Sequence, residues 1–138
     1  MKNNAKISIK SMRDNDENDI IELVVDGGFY EKNGSWYIFY DEKEEMGMQN
    51  CSVMIKINED KTVVTRKGDF YSKMEYKAGC SDEFLYNTPY GTMEMILKTH
   101  KNIYFFDQGG GKLELEYSIK FQNEQSKNTL TVSVCSNK

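Results

Sequence analysis

Apolar and polar residues alternate with a period of two along most of the chain, the pattern of strands that bury one face. Ala5, Ile7 and Ile9 alternate with Lys6, Ser8 and Lys10, and Ile21, Leu23 and Val25 alternate with Glu22 and Val24. Val53, Ile55 and Ile57 interleave with Ser52, Met54 and Lys56, and Met93, Met95 and Leu97 with Glu94 and Ile96. The longest run sets Leu113, Leu115, Tyr117, Ile119 and Phe121 against Glu114, Glu116, Ser118 and Lys120. The last sets Leu130, Val132 and Val134 against Thr131, Ser133 and Cys135. Each run predicts an antiparallel strand with one face on a core and the other in water.

Turn residues separate the runs. Lys32-Asn33-Gly34-Ser35 predicts a tight hairpin, because Asn-Gly accepts the positive φ of a primed turn. Asn58 to Lys61 predicts another, and Gly109-Gly110-Gly111 a loop or tight turn before the Leu113 strand. Residues 14–19 and 122–128 are polar and read as connections, and Lys98 to Asn102 reads as a turn between two strands. The charged segment Glu42 to Asn50 has room for one short helical turn. In Tyr86 to Gly91, Pro89 fixes its own φ, restricts Thr88 and cannot donate to a ladder. That segment predicts a sharp turn or bulge, and Thr88, Pro89 and Gly91 become a candidate rim turn flanking a ligand portal.

Counting the runs gives about ten strands in sequence order. No long stretch shows a helical period, no linker divides the chain and no internal repeat survives a register check. The expectation is one all-β domain over residues 1–138. A sheet of this many strands twists and curls, and closing it removes its edges. An antiparallel up-and-down barrel of about eight to ten strands is therefore expected. A two-sheet β-sandwich is the alternative.

Composition narrows the functional classes. Nine Tyr, seven Phe and a single Pro favour pairing strands. The net charge of −4 argues against nucleic acid and anionic membranes as partners. No apolar run approaches the roughly 20 residues of a membrane span, and the N-terminus has no signal-peptide core, so a cytoplasmic protein is expected. Cys51, Cys80 and Cys135 are odd in number and widely spaced, which suits neither a disulfide framework nor a metal motif. With His100 as the one histidine, no zinc site is expected, and neither a nucleophile elbow nor a phosphate loop occurs. No cofactor is expected.

From Tyr86-Asn87-Thr88-Pro89-Tyr90-Gly91 outward, the order of several segments becomes informative. Gly28-Phe29-Tyr30, Asn33-Gly34-Ser35-Trp36-Tyr37-Ile38, Tyr40-Asp41-Glu42, Arg66-Lys67-Gly68 and Leu115-Glu116-Tyr117-Ser118-Ile119 accompany it. In this order and spacing, from about Ile7 to Val134, the chain resembles the YwiB-like family of small bacterial proteins of unknown function, found mainly in Firmicutes. The resemblance implies a calycin-like barrel related in architecture to lipocalins. It implies no activity. Calycin barrels often hold a small apolar ligand, which is an analogy of fold alone.

The candidate chemistry centres on Tyr40, Glu42, Arg66, Glu75, Tyr86 and Tyr117. A guanidinium held with a tyrosine inside a barrel can grip a carboxylate through two oxygens. A buried arginine needs a partner, so Glu42 or Glu75 can equally neutralise Arg66 in a bridge that closes one barrel end. Met54, Met74, Met93, Met95, Phe70, Phe84, Tyr104 and Phe105 are candidates for core or for a lined cavity. The leading expectation is a non-enzymatic module that binds a small apolar or amphipathic ligand, one bearing a carboxylate included. The alternative is a filled barrel that docks a partner or forms a homodimer through the Trp36 to Tyr40 strand. An enzyme is the weakest reading, because no nucleophile–base pair is visible in the sequence.

Overall fold

The computed structural model describes residues 3–14, 18–43 and 50–137. Segment 44–49, most of the stretch read as a possible helical turn, lies outside the described residues. Ten strands occur in chain order: β1 Ala5–Arg13, β2 Ile20–Lys32, β3 Ser35–Glu42, β4 Cys51–Ile57, β5 Thr62–Gly68, β6 Ser72–Tyr76, β7 Ser81–Thr88, β8 Gly91–Asp107, β9 Gly110–Phe121 and β10 Glu124–Ser136. They form one antiparallel sheet in the order β6-β5-β4-β3-β2-β1-β10-β9-β8-β7. Sequence neighbours pair throughout except β6 and β7, which end the order, and β1 meets β10 to join the two halves. The up-and-down meander therefore curls into a nearly closed barrel, and the sandwich alternative is set aside. Among the described residues no helix is long and apolar enough to cross a membrane.

The ends of the sheet order, β6 and β7, meet without a continuous ladder. Tyr71 and Asn87 exchange two backbone hydrogen bonds of 2.9 Å across this seam. Farther down, Asn102 reaches from β8, donating to the Tyr76 carbonyl at 3.4 Å and accepting from Thr62 Oγ1 at 2.9 Å. A second split lies between β2 and β3. β2 pairs with β1 through Ile20–Gly27 but with β3 only through Gly28–Lys32. The strand bends where one partner replaces the other, and Gly27 is required there: a Cβ would stand 2.1 Å from the Phe39 carbonyl oxygen.

Alternation along the strands fixes which side chains enter the lumen. Ile7, Ile38, Ile55, Ile57, Leu97, Leu113, Leu115 and Val132 are fully or almost fully buried. One end of the barrel, where the β2–β3, β4–β5, β6–β7 and β8–β9 turns gather, is plugged by rings. Phe29 stacks on Trp36 at 5.3 Å, and Phe106 meets both, at 5.6 and 5.8 Å. The hairpin at this end follows the sequence reading, with Asn33 at φ 53° and Gly34 at φ 81°.

Two connections differ from expectation. Lys98 to Asn102 is no turn. It is the middle of the 17-residue β8, whose pairing with β9 shifts register between Thr99 and Lys101. The β-bulge at His100 places an extra residue in the ladder and re-aims the strand, so a polar stretch continues the sheet. Likewise, only Gln122 and Asn123 turn between β9 and β10, and Glu124 to Asn128 pair with β9 as ordinary strand.

Candidate functional site

Opposite the aromatic plug, the lumen is hollow. A cavity of about 470 Å³ opens toward the end that carries the β7–β8 and β9–β10 turns. Its wall is largely apolar, with Ile9, Leu23, Ile55, Val64, Phe84 and Ile119 among its members. Met74 and Met95 supply flexible, polarisable surface.

The polar part of the wall follows from strand register. Tyr40, Val53, Arg66 and Ser72 lie opposite one another across β3, β4, β5 and β6, all facing inward. Val53 is short and stands between the longer side chains of Tyr40 and Arg66. Glu42, one inward position farther along β3 and opposite Cys51, meets Arg66 there. Arg66 Nε donates to Glu42 Oε1 at 2.8 Å and Nη2 donates to Oε2 at 3.2 Å. The Glu42 side chain is only 5% exposed and that of Arg66 27%, so the pair is drawn out of water and bidentate. Burial works against the Arg66 charge, but the hydrogen bonds and charge of Glu42 outweigh it and hold the guanidinium well above its ordinary pKa.

Four tyrosines surround this pair in the lining: Tyr40, Tyr76, Tyr86 and Tyr117. Tyr76 and Tyr117 meet edge to face at 4.9 Å, and the Tyr76 hydroxyl donates to Met74 Sδ at 3.6 Å. Burial raises the phenol pKa of all four, with the Glu42 charge adding to the rise at Tyr40 and Arg66 opposing it. At neutral pH they are hydroxyls, able both to donate and to accept. Phe70 closes on Tyr86 at 5.4 Å beside the β6–β7 seam.

Of the residues singled out by sequence, Tyr40, Glu42, Arg66, Tyr86 and Tyr117 come together in one cavity wall. Glu75 does not. It sits opposite Val63 on the outer face and pairs with Lys61, which lowers its pKa. One residue of parity separates it from Met74 and Tyr76, which both face the lumen. Thr88, Pro89 and Gly91 form the β7–β8 hairpin at the open end, with Thr88 Oγ1 accepting from Tyr90 N at 3.1 Å and donating to the Gly91 carbonyl at 2.9 Å. They lie near the mouth but outside the cavity lining. Met54 and Phe105 face outward, and Phe105 is strongly exposed.

Sequence reasoning missed two features. Tyr76 was recoverable, since it alternates with Met74. The His100–Ser118 pair was not: the bulge brings His100 Nε2 to 2.7 Å from Ser118 Oγ across strands. This pair lies on the barrel exterior, outside the lining of the lumen cavity. Cys51 is buried, Cys80 and Cys135 are exposed, and all three are free.

The model of a family described as a domain of unknown function (DUF1934) matches residues 7–132. The chain is 25% identical over 120 residues to the uncharacterized beta-barrel protein YwiB of Bacillus subtilis (strain 168), covering 86% of this chain and 83% of that one. It superposes on the crystal structure of the ywiB protein from Bacillus subtilis with a TM-score of 0.85 at 20% identity, over 97% of this chain and 92% of that one. The last likeness establishes the shared barrel fold.

Proposed function

The chain belongs to the DUF1934 family, a domain of unknown function, and from that starting point we propose that it is a non-enzymatic module holding one small apolar or amphipathic molecule in the open half of its barrel. The observation that carries this reading is the division of the lumen. Rings fill one end, whereas the other keeps about 470 Å³ lined by apolar side chains with one cluster of polar groups. Binding sites for small molecules share this makeup of apolar wall and few convergent polar groups. At ~30 Å³ per water-sized group, that volume accommodates a ligand of about fifteen non-hydrogen atoms. The apolar end would lie against Met74, Met95 and Ile119, and the polar end near Arg66 and Tyr40. The acidic net charge and the unpaired Cys80 and Cys135 thiols support a cytoplasmic setting for this binding.

The test is titration with the neutral fluorophore N-phenyl-1-naphthylamine, alongside native mass spectrometry of protein purified from cells. Saturable one-to-one fluorescence enhancement is expected, weakened by Ile119→Trp, which fills the cavity. Absence of saturable binding to folded wild-type protein would overturn the reading.

A second reading draws on the outer face of β2 and β3. Tyr30 stacks on Tyr37 at 5.0 Å and on Phe39 at 5.6 Å, with Lys56 Nζ 5.8 Å from the Tyr37 ring centroid. This half-buried aromatic strip supports a self-association surface. A concentration-dependent dimer in sedimentation, abolished by Phe39→Lys, is the expected result, and a monomer at all concentrations excludes it.

A further inference from the structure

Resting on the ligand-binding reading, we infer that the occupant is uncharged at its polar end: a medium-chain amide or alcohol, in chemical class, in preference to a fatty carboxylate or an amine. A lone buried arginine would call for an anion. Here Glu42 already takes the Nε–Nη2 edge of Arg66 with two hydrogen bonds, and no other carboxylate among the described residues pairs with it.

The wall as a whole carries the same message. Its charged members are Arg13, Glu42, Arg66 and Glu124, two of each sign, and Arg13 and Glu124 are exposed at the mouth. The deep polar surface is therefore one compensated ion pair surrounded by hydroxyls of Tyr40, Tyr76, Tyr86, Tyr117 and Ser72. A carboxylate entering here leaves water to stand beside the Glu42 carboxylate, and an ammonium leaves water to stand beside the Arg66 guanidinium. Either places a net charge deep in the lumen, where Glu42 and Arg66 already neutralise each other. An amide or hydroxyl meets the same wall without that penalty. Its oxygen accepts from a tyrosine hydroxyl or from guanidinium N–H, and its N–H or O–H donates to Glu42 or to a phenol oxygen. Glu42 in this view is a specificity determinant that rejects anions by occupying their counter-ion.

Octanamide, octanoate and octylammonium separate the possibilities, because amide and carboxylate heads are nearly isosteric. Their affinities would be read by displacement of N-phenyl-1-naphthylamine and by calorimetry at pH 7. Wild-type protein is expected to bind octanamide about tenfold or more tightly than either ion. Glu42→Gln, which frees Arg66, is expected to strengthen octanoate about tenfold and so to shift the octanamide-to-octanoate ratio toward the anion. Octanoate equal to or tighter than octanamide on the wild type would overturn the inference, as would a folded Glu42→Gln protein with an unchanged ratio. Should Glu42→Gln fail to fold, the wild-type ordering alone decides. Failure of the dye and all three octyl compounds to bind would instead remove the binding reading on which the inference rests.

Discussion

Replacing Arg66 with Met is the sharpest perturbation of the polar wall. The variant keeps the length of the aliphatic stem but leaves the Glu42 carboxylate, 5% exposed, without its counter-charge. Removing one partner of a buried pair typically costs about 3–5 kcal/mol. Glu42→Gln instead leaves a partly exposed guanidinium that water still reaches, so its loss is smaller. The double variant Glu42→Leu, Arg66→Met removes both charges and is expected within about 1 kcal/mol of wild type, or above it. Urea unfolding at pH 7, followed by the fluorescence of the single tryptophan, Trp36, measures all four proteins. An Arg66→Met protein no less stable than Glu42→Gln would refute the account of a buried, self-neutralised pair.

Three further outcomes follow from the packing. Phe106→Ala empties the plug formed with Phe29 and Trp36 and is expected to cost about 3–5 kcal/mol in the same urea assay, whereas Phe105→Ala on the exposed neighbour should lie within about 0.5 kcal/mol. Gly27→Val, which drives a Cβ into the Phe39 carbonyl at the bend of β2, is expected to cost at least about 2 kcal/mol, against a small effect for Gly34→Asn at the open β2–β3 turn. In a spectrophotometric titration, Tyr40, Tyr76 and Tyr117 should stay protonated until the protein unfolds, because burial raises all three. The stability they contribute is complete below the ordinary phenol value of about 10 and is lost as pH rises past it, so ionisation of every tyrosine without loss of structure would contradict their placement.

What could be seen in the sequence was whatever a period of two encodes. Leu113, Leu115, Tyr117, Ile119 and Phe121 share the inner face because alternate residues of a strand do so. The strand count and the need to close sheet edges favoured the barrel, and the family's order of segments agreed, whereas alternation alone leaves barrel and sandwich undecided. Parity also contained the choice between Glu42 and Glu75: flanked by the inward Met74 and Tyr76, Glu75 faces out. His100 was illegible because a bulge resets parity without a residue type that announces it. The polar run Glu124 to Asn128 is strand because β9 offers it a ladder, a tertiary fact that local composition does not record. The hollow end is equally hidden, since it depends on the summed volumes of side chains from many strands.

Methyl-labelled methionine NMR tests the divided barrel most directly, because Met74 and Met95 line the hollow half while Met54 lies on the outside. On titration with octanamide, the Met74 and Met95 methyl signals should shift together and saturate, and that of Met54 should stay in place. Unmoved Met74 and Met95 signals beside a saturating dye or a shifting Met54 would place the ligand elsewhere and contradict a binding lumen.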